Sequence, residues 1–330
     1  MAGDSLTVLR LKAVSLFDFH RPGGESACKG SAGCAQRLAV GGSGAPRVGE
    51  HVRSWPVWEA ASRYRAGMNS SDMTARFARL HDEGSLLLLP NAWDAGSARL
   101  MRQLGAEAIA TTSAGIAWSL GYADGDRLPP AEYAAAVRRI VRVVDCPVSA
   151  DAEGGYSDDP AQVRENVARL AGEGAIGVNL EDGSGTAAAL ARKIEACKAI
   201  AGIVLWVNAR CDVYLRALAP GRELAETLER ARLYALAGAD SLFVPGAAPA
   251  DIRALVQGQA LPLNLLARPN LPPLAELQRL RVRRLSAGSM IAQQAWAMAR
   301  SQGVAFLAAG NTPALFVGAA AYSEINDAFG

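Results

Sequence analysis

The sequence predicts an α/β fold, a closed (β/α)8 barrel of the TIM type, on three observations. Eight short apolar runs, each bounded by turn residues, follow one another from residue 86 onward. Helical patterns fill the gaps between them, at the spacing of parallel strands joined by crossover helices. Three helical stretches end in the same stop, Leu104-Gly105-Ala106, Glu173-Gly174-Ala175 and Ala237-Gly238-Ala239, where glycine suits the left-handed residue that closes a helix.

The strands are read at Leu86–Leu89, Ala108–Thr111, Pro147–Ala150, Ile176–Leu180, Ile203–Val207, Ser241–Val244, Leu263–Leu266 and Arg283–Ser286. Helices are read at Pro130–Val144, Pro160–Glu173, Ala187–Ala201 and Glu223–Ala237. An open doubly wound sheet is the alternative, but no Gly-x-Gly-x-x-Gly follows the first strand. Residues 68–312 are expected to form the barrel. Residues 313–330 are too apolar for a solvated tail, so Pro313–Phe329 is expected to dock on this subunit or a neighbour.

Residues 1–67 read differently. They hold ten glycines and few periodic apolar positions, around a small-residue run from Cys28 to Cys34. Such a segment buries little apolar surface and is expected to be a loosely structured extension, with Met68 a candidate natural start. The apolar stretch Leu6 to Phe19 is broken by Arg10, Lys12 and Asp18 and makes a poor signal peptide. Asp4, Asp18 and Glu25 are out of place in a transit peptide.

Charge and composition exclude several classes. The formal net charge is +2, and from residue 68 onward 25 Lys/Arg face 27 Asp/Glu, so no basic surface for nucleic acid is evident. No apolar run reaches the roughly 18 residues of a membrane span. Five scattered cysteines without a Cys-x-x-Cys pair fit free thiols in a reducing, cytoplasmic setting.

In a parallel barrel the active site is built at the C-terminal ends of the strands. Those positions carry Asn91, Trp93 and Asp94 after the first strand, and Thr112, Ser113 and then Asp124 after the second. Asp151 and Glu153 end the third strand and Glu181 and Asp182 the fourth, and Asn208, Arg210 and Asp212 come with the fifth. Carboxylates at neighbouring strand ends repel one another, so a cation is expected among them. All-oxygen ligands select a hard one, Mg²⁺ before Ca²⁺. Any one of these acids could instead cap a helix; four at successive strand ends are better read as a site.

The only histidines, His20, His51 and His81, precede the first strand. A histidine base and a histidine-ligated zinc are therefore excluded from the barrel. Its two lysines, Lys193 and Lys198, lie on a helix, which disfavours Schiff-base chemistry. Acid–base work falls to carboxylates, Tyr122, Tyr156 or metal-bound water. Cys211 is read as an inert buried thiol, Trp93, Trp118 and Trp206 as core, and Ser286 to Ser289 as a helix cap before a phosphate site. Asn264 and Arg268 are weaker candidates for a second carboxylate contact.

Asp151-Ala-Glu153-Gly-Gly-Tyr156-Ser157, after Cys146-Pro147-Val148, resembles the metal-binding Asp-x-Asp-x-Gly-Tyr-Gly run of the phosphoenolpyruvate mutase/isocitrate lyase superfamily. Gly177-Val-Asn-Leu-Glu181-Asp182 is similar to its next strand end, and Val207-Asn-Ala-Arg210 to its arginine strand. Thr111-Thr112-Ser113 followed by Leu120-Gly-Tyr-Ala-Asp124 resembles its carboxylate-binding loop and the aspartate beyond. The likeness runs from about Met73 to Gly310 in the right order. It implies a barrel that exchanges its last helix between subunits of a homodimer or homotetramer.

Carried over residue by residue, the resemblance implies that Asp151 binds Mg²⁺ while Glu153 and Glu181 hold its water shell. Backbone N–H groups near Thr112 and Ser113 would take the substrate carboxylate. Arg210 would face the oxyanion, and Asp124 would act near the reacting carbon. The implied chemistry is an enolate-like oxyanion stabilised by metal and arginine.

Three departures narrow it. Glu153 replaces the second aspartate, the Lys-x-Cys-Gly-His motif of the lyases is absent, and Pro245 stands where the phosphonate enzymes place a histidine. The leading expectation is a Mg²⁺-dependent lyase or hydrolase for a small 2-oxo or 2-hydroxy acid, by C–C cleavage or decarboxylation of an oxaloacetate-like substrate. The alternatives are a 2-oxo acid-binding barrel with residual catalysis, a phosphonate C–P enzyme, or a phosphosugar-type barrel.

Overall fold

Pro90 splits the first strand of the barrel. Having no N–H to give to a ladder, it separates β1 (Leu87–Leu89) from β2 (Asn91–Ala92). The first half pairs with β9 (Arg284–Ser286), and the second with β3 (Ile109–Thr111). Between them run β4 (Val148–Asp151), β5 (Gly177–Glu181), β6 (Trp206–Arg210), β7 (Ser241–Val244) and β8 (Leu263–Leu266). All pairings are parallel, in the order β1-β9-β8-β7-β6-β5-β4-β3-β2. Since β1 and β2 are one run of chain, the sheet comes round on itself, and the nine strands amount to the eight of a (β/α)8 barrel. These facts come from a computed structural model that describes residues 69–82 and 85–329. The reading of residues 1–67 as an extension lies outside the described residues.

Seven of the eight expected strands fall within a residue or two of the ladder. The fifth does not: it was expected at Ile203–Val207 and runs Trp206–Arg210. Pairing with β5 sets the frame, Gly177 opposite Trp206 and Glu181 opposite Arg210, and Val204 is left facing solvent.

The helices start and stop for local reasons. Asp94 caps the helix α1 (Ala95–Gln103): its side chain accepts from Ser97 N at 2.6 Å, and the Ser97 hydroxyl accepts from Asp94 N at 3.0 Å. Asp159 and Thr186 cap α2 (Pro160–Gly172) and α3 (Ala187–Lys198). Gly105, Gly174 and Gly238 sit at φ of 96°, 96° and 95°, confirming the three left-handed stops.

The strands alternate. Val148, Ala150, Val178, Leu180, Val207, Ala209, Leu242 and Val244 belong to the main apolar core. The alternate positions Ser149, Asn179, Asn208, Ser241, Asn264 and Arg284 are polar, and they are buried too. Barrels usually fill the lumen with branched apolar residues; this lumen is polar. A second apolar cluster joins Phe77 to Leu87, Leu89, Ala108, Ile176 and Trp206. Phe77 belongs to an N-terminal helix, Ser70–Asp82. Its Thr74 hydroxyl bonds to Val204 O at 3.0 Å and Arg76 reaches Asp145 O at 3.4 Å, both carbonyls just ahead of a strand. This helix therefore covers the N-terminal end of the barrel and leaves the C-terminal end open.

After β9 comes the long helix α4 (Met290–Ala309), with Ala292 its one buried residue. The segment expected to dock holds a 3-10 turn, Pro313–Phe316, and a short helix, Tyr322–Asp327. It touches the barrel where Arg99 Nε donates to Ala328 O at 2.5 Å. No helix among the described residues is long and apolar enough to cross a membrane.

Candidate active site

Asp151 ends β4 with both carboxylate oxygens hydrogen-bonded. Its Oδ2 accepts from the backbone N and hydroxyl of Ser113, at 3.1 and 2.9 Å, and its Oδ1 from Asn179 Nδ2 at 2.8 Å. The chain of bonds continues across the lumen. Asn208 Nδ2 donates to Asn179 Oδ1 at 2.9 Å, Ser241 Oγ to Asn208 Oδ1 at 2.7 Å, and Trp206 Nε1 to Ser241 Oγ at 2.9 Å. Four consecutive strands thus hold one carboxylate in place, and a satisfied buried network of this kind is rigid.

Thr112, Ser113, Asp124, Asp151 and Arg210 line one cavity of about 210 Å³ at the C-terminal end of the barrel. That is room for a short acid. Glu153 and Glu181 line an adjoining cavity of about 360 Å³, together with Asp126, Lys193 and Arg216. The seven candidate residues therefore fall into two neighbouring groups. Glu153 is turned toward the second by its backbone, which is left-handed at φ 48°, and its carboxylate accepts from Asp126 N.

The Gly154-Gly155 pair makes that turn possible. Gly155 has φ 89°, and a Cβ there would come within 2.6 Å of Val163 Cγ1.

The charges are crowded. Burial and then the charge of Asp151 raise the pKa of Asp124, with Ser113, the Gly125 N–H and Arg210 opposing. Burial pushes Glu153 up to about 7, with Asp124, Asp126 and Asp151 adding to it and the Asp126 N–H opposing. Burial also raises Glu181, although Arg210 beside it works the other way. Burial works against the charge on Arg210, but Glu181 and Asp212 outweigh it and raise its pKa. Arg210 Nη1 lies 2.5 Å from Glu181 Oε2, and Nε and Nη2 clasp both oxygens of Asp212.

This donor set fits a hard cation. It is all oxygen, and its acids repel one another. Among the described residues no three His, Cys, Asp or Glu side chains are grouped closely enough to hold an ion by themselves. Mg²⁺ usually keeps several waters and takes one or two carboxylates, so Asp151, in the first cavity, could serve as a ligand, and Glu153 and Glu181, in the adjoining one, could meet the ion only through water.

Other residues resolve into structural roles. Asn91 stitches the barrel seam, donating to Thr111 O at 2.8 Å and accepting from Gly288 N at 2.8 Å. Asp182 accepts from Arg230, Tyr234 and the Asp212 backbone. Cys211 is buried and its thiol pushed up to about 12 by burial, hence inert. Ser289 precedes α4, but its hydroxyl makes no cap bond and accepts from Gln293. Trp206 packs at the covered end of the barrel, stacked on His81 at 4.5 Å. The sequence reading missed Asn179 and the clamping role of Asp212. Asn179 stands two residues before Glu181, so strand alternation puts both on one face.

A parallel barrel with acids at successive strand ends and a clamped arginine among them has the build of a barrel enzyme's active site. The comparisons with known proteins agree. A profile of the phosphoenolpyruvate phosphomutase family matches residues 77–307, and the chain belongs to that family. Its relatives include a carboxyvinyl-carboxyphosphonate phosphorylmutase of Arabidopsis thaliana and a probable 2-methylisocitrate lyase of Corynebacterium glutamicum, 32% and 30% identical over 53% of this chain and 55% and 60% of theirs.

An uncharacterized protein of Mycobacterium tuberculosis (strain H37Rv) is 38% identical over 223 residues, 65% of this chain and 82% of the relative. The oxaloacetate decarboxylase of Paraburkholderia xenovorans is 31% identical over 230 residues, 64% of this chain and 75% of the enzyme. Among solved structures, a Burkholderia cenocepacia J2315 protein provisionally described as a phosphonomutase is 39% identical with a TM-score of 0.67, covering 71% of this chain and 98% of that one. A phosphonopyruvate hydrolase bound to oxalate and Mg²⁺ shares the fold at 22% identity, with a TM-score of 0.70 over 79% of this chain and 95% of that one.

Proposed function

We propose that this protein is a Mg²⁺-dependent lyase or hydrolase that cleaves or decarboxylates a small 2-oxo or 2-hydroxy dicarboxylic acid of the oxaloacetate type. One observation carries the reading: Asp124, Asp151, Ser113 and a clamped Arg210 share a single cavity sized for a short acid. The oxaloacetate decarboxylase relative supports the substrate class. The oxalate and Mg²⁺ held by a fold neighbour support the cofactor.

In this reading Asp151 would hold the metal, and Glu153 and Glu181 would reach it through water. When bound, Mg²⁺ supplies Lewis-acid polarisation of the substrate's carboxylate and 2-oxo oxygens. Arg210, fixed before substrate arrives, offers N–H groups to the oxygen on which negative charge develops. The loop at Thr112 and Ser113 positions the carboxylate. Asp124, which lines the same cavity as Asp151 and Arg210, serves the reacting carbon as acid or base. A cytoplasmic location belongs to the same proposal, and the buried free thiols Cys146, Cys197 and Cys211 are compatible with it. It is read as a homodimer or homotetramer.

The test is ligand-coupled stability. Oxalate resembles the planar core of a chelated 2-oxo acid, so it should raise the melting temperature only when Mg²⁺ is present. Asp151→Ala should abolish that coupled shift, and Arg210→Ala should weaken oxalate while sparing Mg²⁺. An equal shift in EDTA and in Mg²⁺ would remove the metal from the proposal. Oxaloacetate turnover separates the enzyme from a binding-only barrel.

A further inference from the structure

The active-site cavity has a second cation that the reading above leaves unused. Arg284 opens β9 inside the barrel, 3% exposed, in register with Asn264 on β8 and Leu87 on β1. Its Nε donates to Ser286 Oγ at 3.0 Å, which in turn donates to Asn264 Oδ1 at 3.2 Å. Its Nη1 is buried with no partner among the described residues, and so are Ser149 Oγ and Asn264 Nδ2. Unsatisfied buried donors are rare in native folds and ask for an explanation.

The surroundings point to an anion. Arg284, Ser149 and Ser286 line the same cavity as Asp151 and Arg210. Arg284 also lies near enough to lower the pKa of His81 at the covered end and to feel the charge of Asp151 at the open end. Arg284 is the first residue of its strand and Asp151 the last of its own, so in a parallel barrel Arg284 stands deeper in the lumen than Asp151. Among the described residues no carboxylate is ion-paired with it, unlike Arg210, Arg216 and Arg230. Burial accordingly pulls its pKa down to about 9, with Asp151 opposing. A buried charge without its counter-ion is unfavourable, and engaging Asp151 with a cation would leave Arg284 less compensated still.

We infer that Arg284 and Ser149 receive the second carboxylate of a short dicarboxylic acid whose first carboxylate is held at the Asp151 and Arg210 end, with Asn264 and Ser286 orienting the guanidinium. The inference rests on the proposed reading of that first end. It makes the lumen a ruler: a three-carbon monoacid reaches one end, and a four-carbon diacid both.

Lactate and malate are stable probes that differ in the distal carboxylate. Oxalate is too short to span the two ends. Calorimetric titration of the full chain in Mg²⁺ should give malate at least roughly tenfold tighter than lactate, as expected for a charge-assisted contact in a buried site. Arg284→Gln should erase that gap by weakening malate, with lactate and oxalate still bound in Mg²⁺ and changed together by the same smaller factor. Ser149→Ala, a smaller change without loss of charge, should weaken malate selectively and decides the matter if Arg284→Gln does not fold. Malate preference that survives these substitutions overturns the inference, as does a wild-type protein that binds oxalate with Mg²⁺ but does not distinguish malate from lactate. In the latter case the proposed function stands. Absence of any Mg²⁺-coupled oxalate binding overturns both.

Discussion

Arg210 grips Asp212 through two parallel hydrogen bonds, Nε to Oδ1 at 2.7 Å and Nη2 to Oδ2 at 3.0 Å. Asp212 is itself fully buried, takes a further bond from Arg216 Nε at 2.9 Å, and has its backbone N fixed to Asp182 at 2.8 Å. The forked geometry fixes the plane of the guanidinium and leaves Nη1 for Glu181. Asp212→Ala should cost about 1.5–3 kcal/mol in urea unfolding, since Arg210 loses two charge-assisted hydrogen bonds while keeping Glu181. Asp212→Asn keeps the shape and should fold, with Mg²⁺-dependent oxalate affinity reduced by roughly tenfold, a loss of about 1.4 kcal/mol. Unchanged oxalate affinity in Asp212→Asn would mean that the clamp does not position Arg210 for ligand.

His81 predicts a pH effect. Burial, reinforced by Arg284, lowers its pKa to about 3, and its Nδ1 bonds to Phe77 O at 2.8 Å. The unfolded chain would take up a proton near the ordinary value of 6.5, so the native state binds fewer protons below that pH. Its contribution to stability is complete above about pH 6.5 and is lost as pH falls toward 3, at up to about 1.4 kcal/mol per pH unit. The raised acids act in the opposite sense over part of this range, because the folded state there holds more protons than the unfolded one. The informative quantity is therefore the difference between wild type and His81→Gln. Urea unfolding near neutral pH and at about pH 5 should show the variant losing less stability on acidification.

Gly155 supplies the third expectation. Its left-handed backbone and the contact a side chain would make with Val163 leave no room for Cβ. Gly155→Ala should lower stability by about 1–3 kcal/mol and displace the turn that carries Glu153. A variant with unchanged melting temperature and oxalate response would show that the turn tolerates a side chain.

Association is the fourth. Leu88 on β1 is 52% exposed, in an apolar groove of about 610 Å³ with Leu86, Met101, Leu104 and Leu285. A barrel helix would ordinarily cover such a place, but α4, which follows β9, buries only Ala292. That helix and the segment after it expose Met298, Val304, Leu307, Phe316, Val317 and Tyr322. We propose that the C-terminal helix of a second copy fills the groove. Light scattering should report a dimer or larger assembly, and Leu88→Asp or removal of residues 290–330 should yield monomers or aggregates. A deletion variant that stays monomeric, soluble and equally stable would exclude helix exchange.

Local spacing alone determined the barrel, the helix stops and most of the candidate acids. Strand alternation, helical periodicity and glycine at a left-handed stop are set by residues a few positions apart, and Asp151-Ala-Glu153-Gly-Gly is a contiguous run. The fifth strand slipped because an apolar start at Ile203 looks like a strand locally, whereas its true frame is set by pairing with Gly177–Glu181. The tertiary structure decided who faces whom in the lumen. Asp151 meets Asn179 across 28 positions, Asn208 meets Ser241 across 33, and Asn91 meets Gly288 across 197. Barrel closure alone makes such residues neighbours. That is why the bonds Asn179 makes and the unpaired Nη1 of Arg284 had no local signal, each being defined by the partner it has, or lacks, on another strand; the clamp on Arg210 comes from Asp212 only two residues on, but the burial that fixes it is set by the fold.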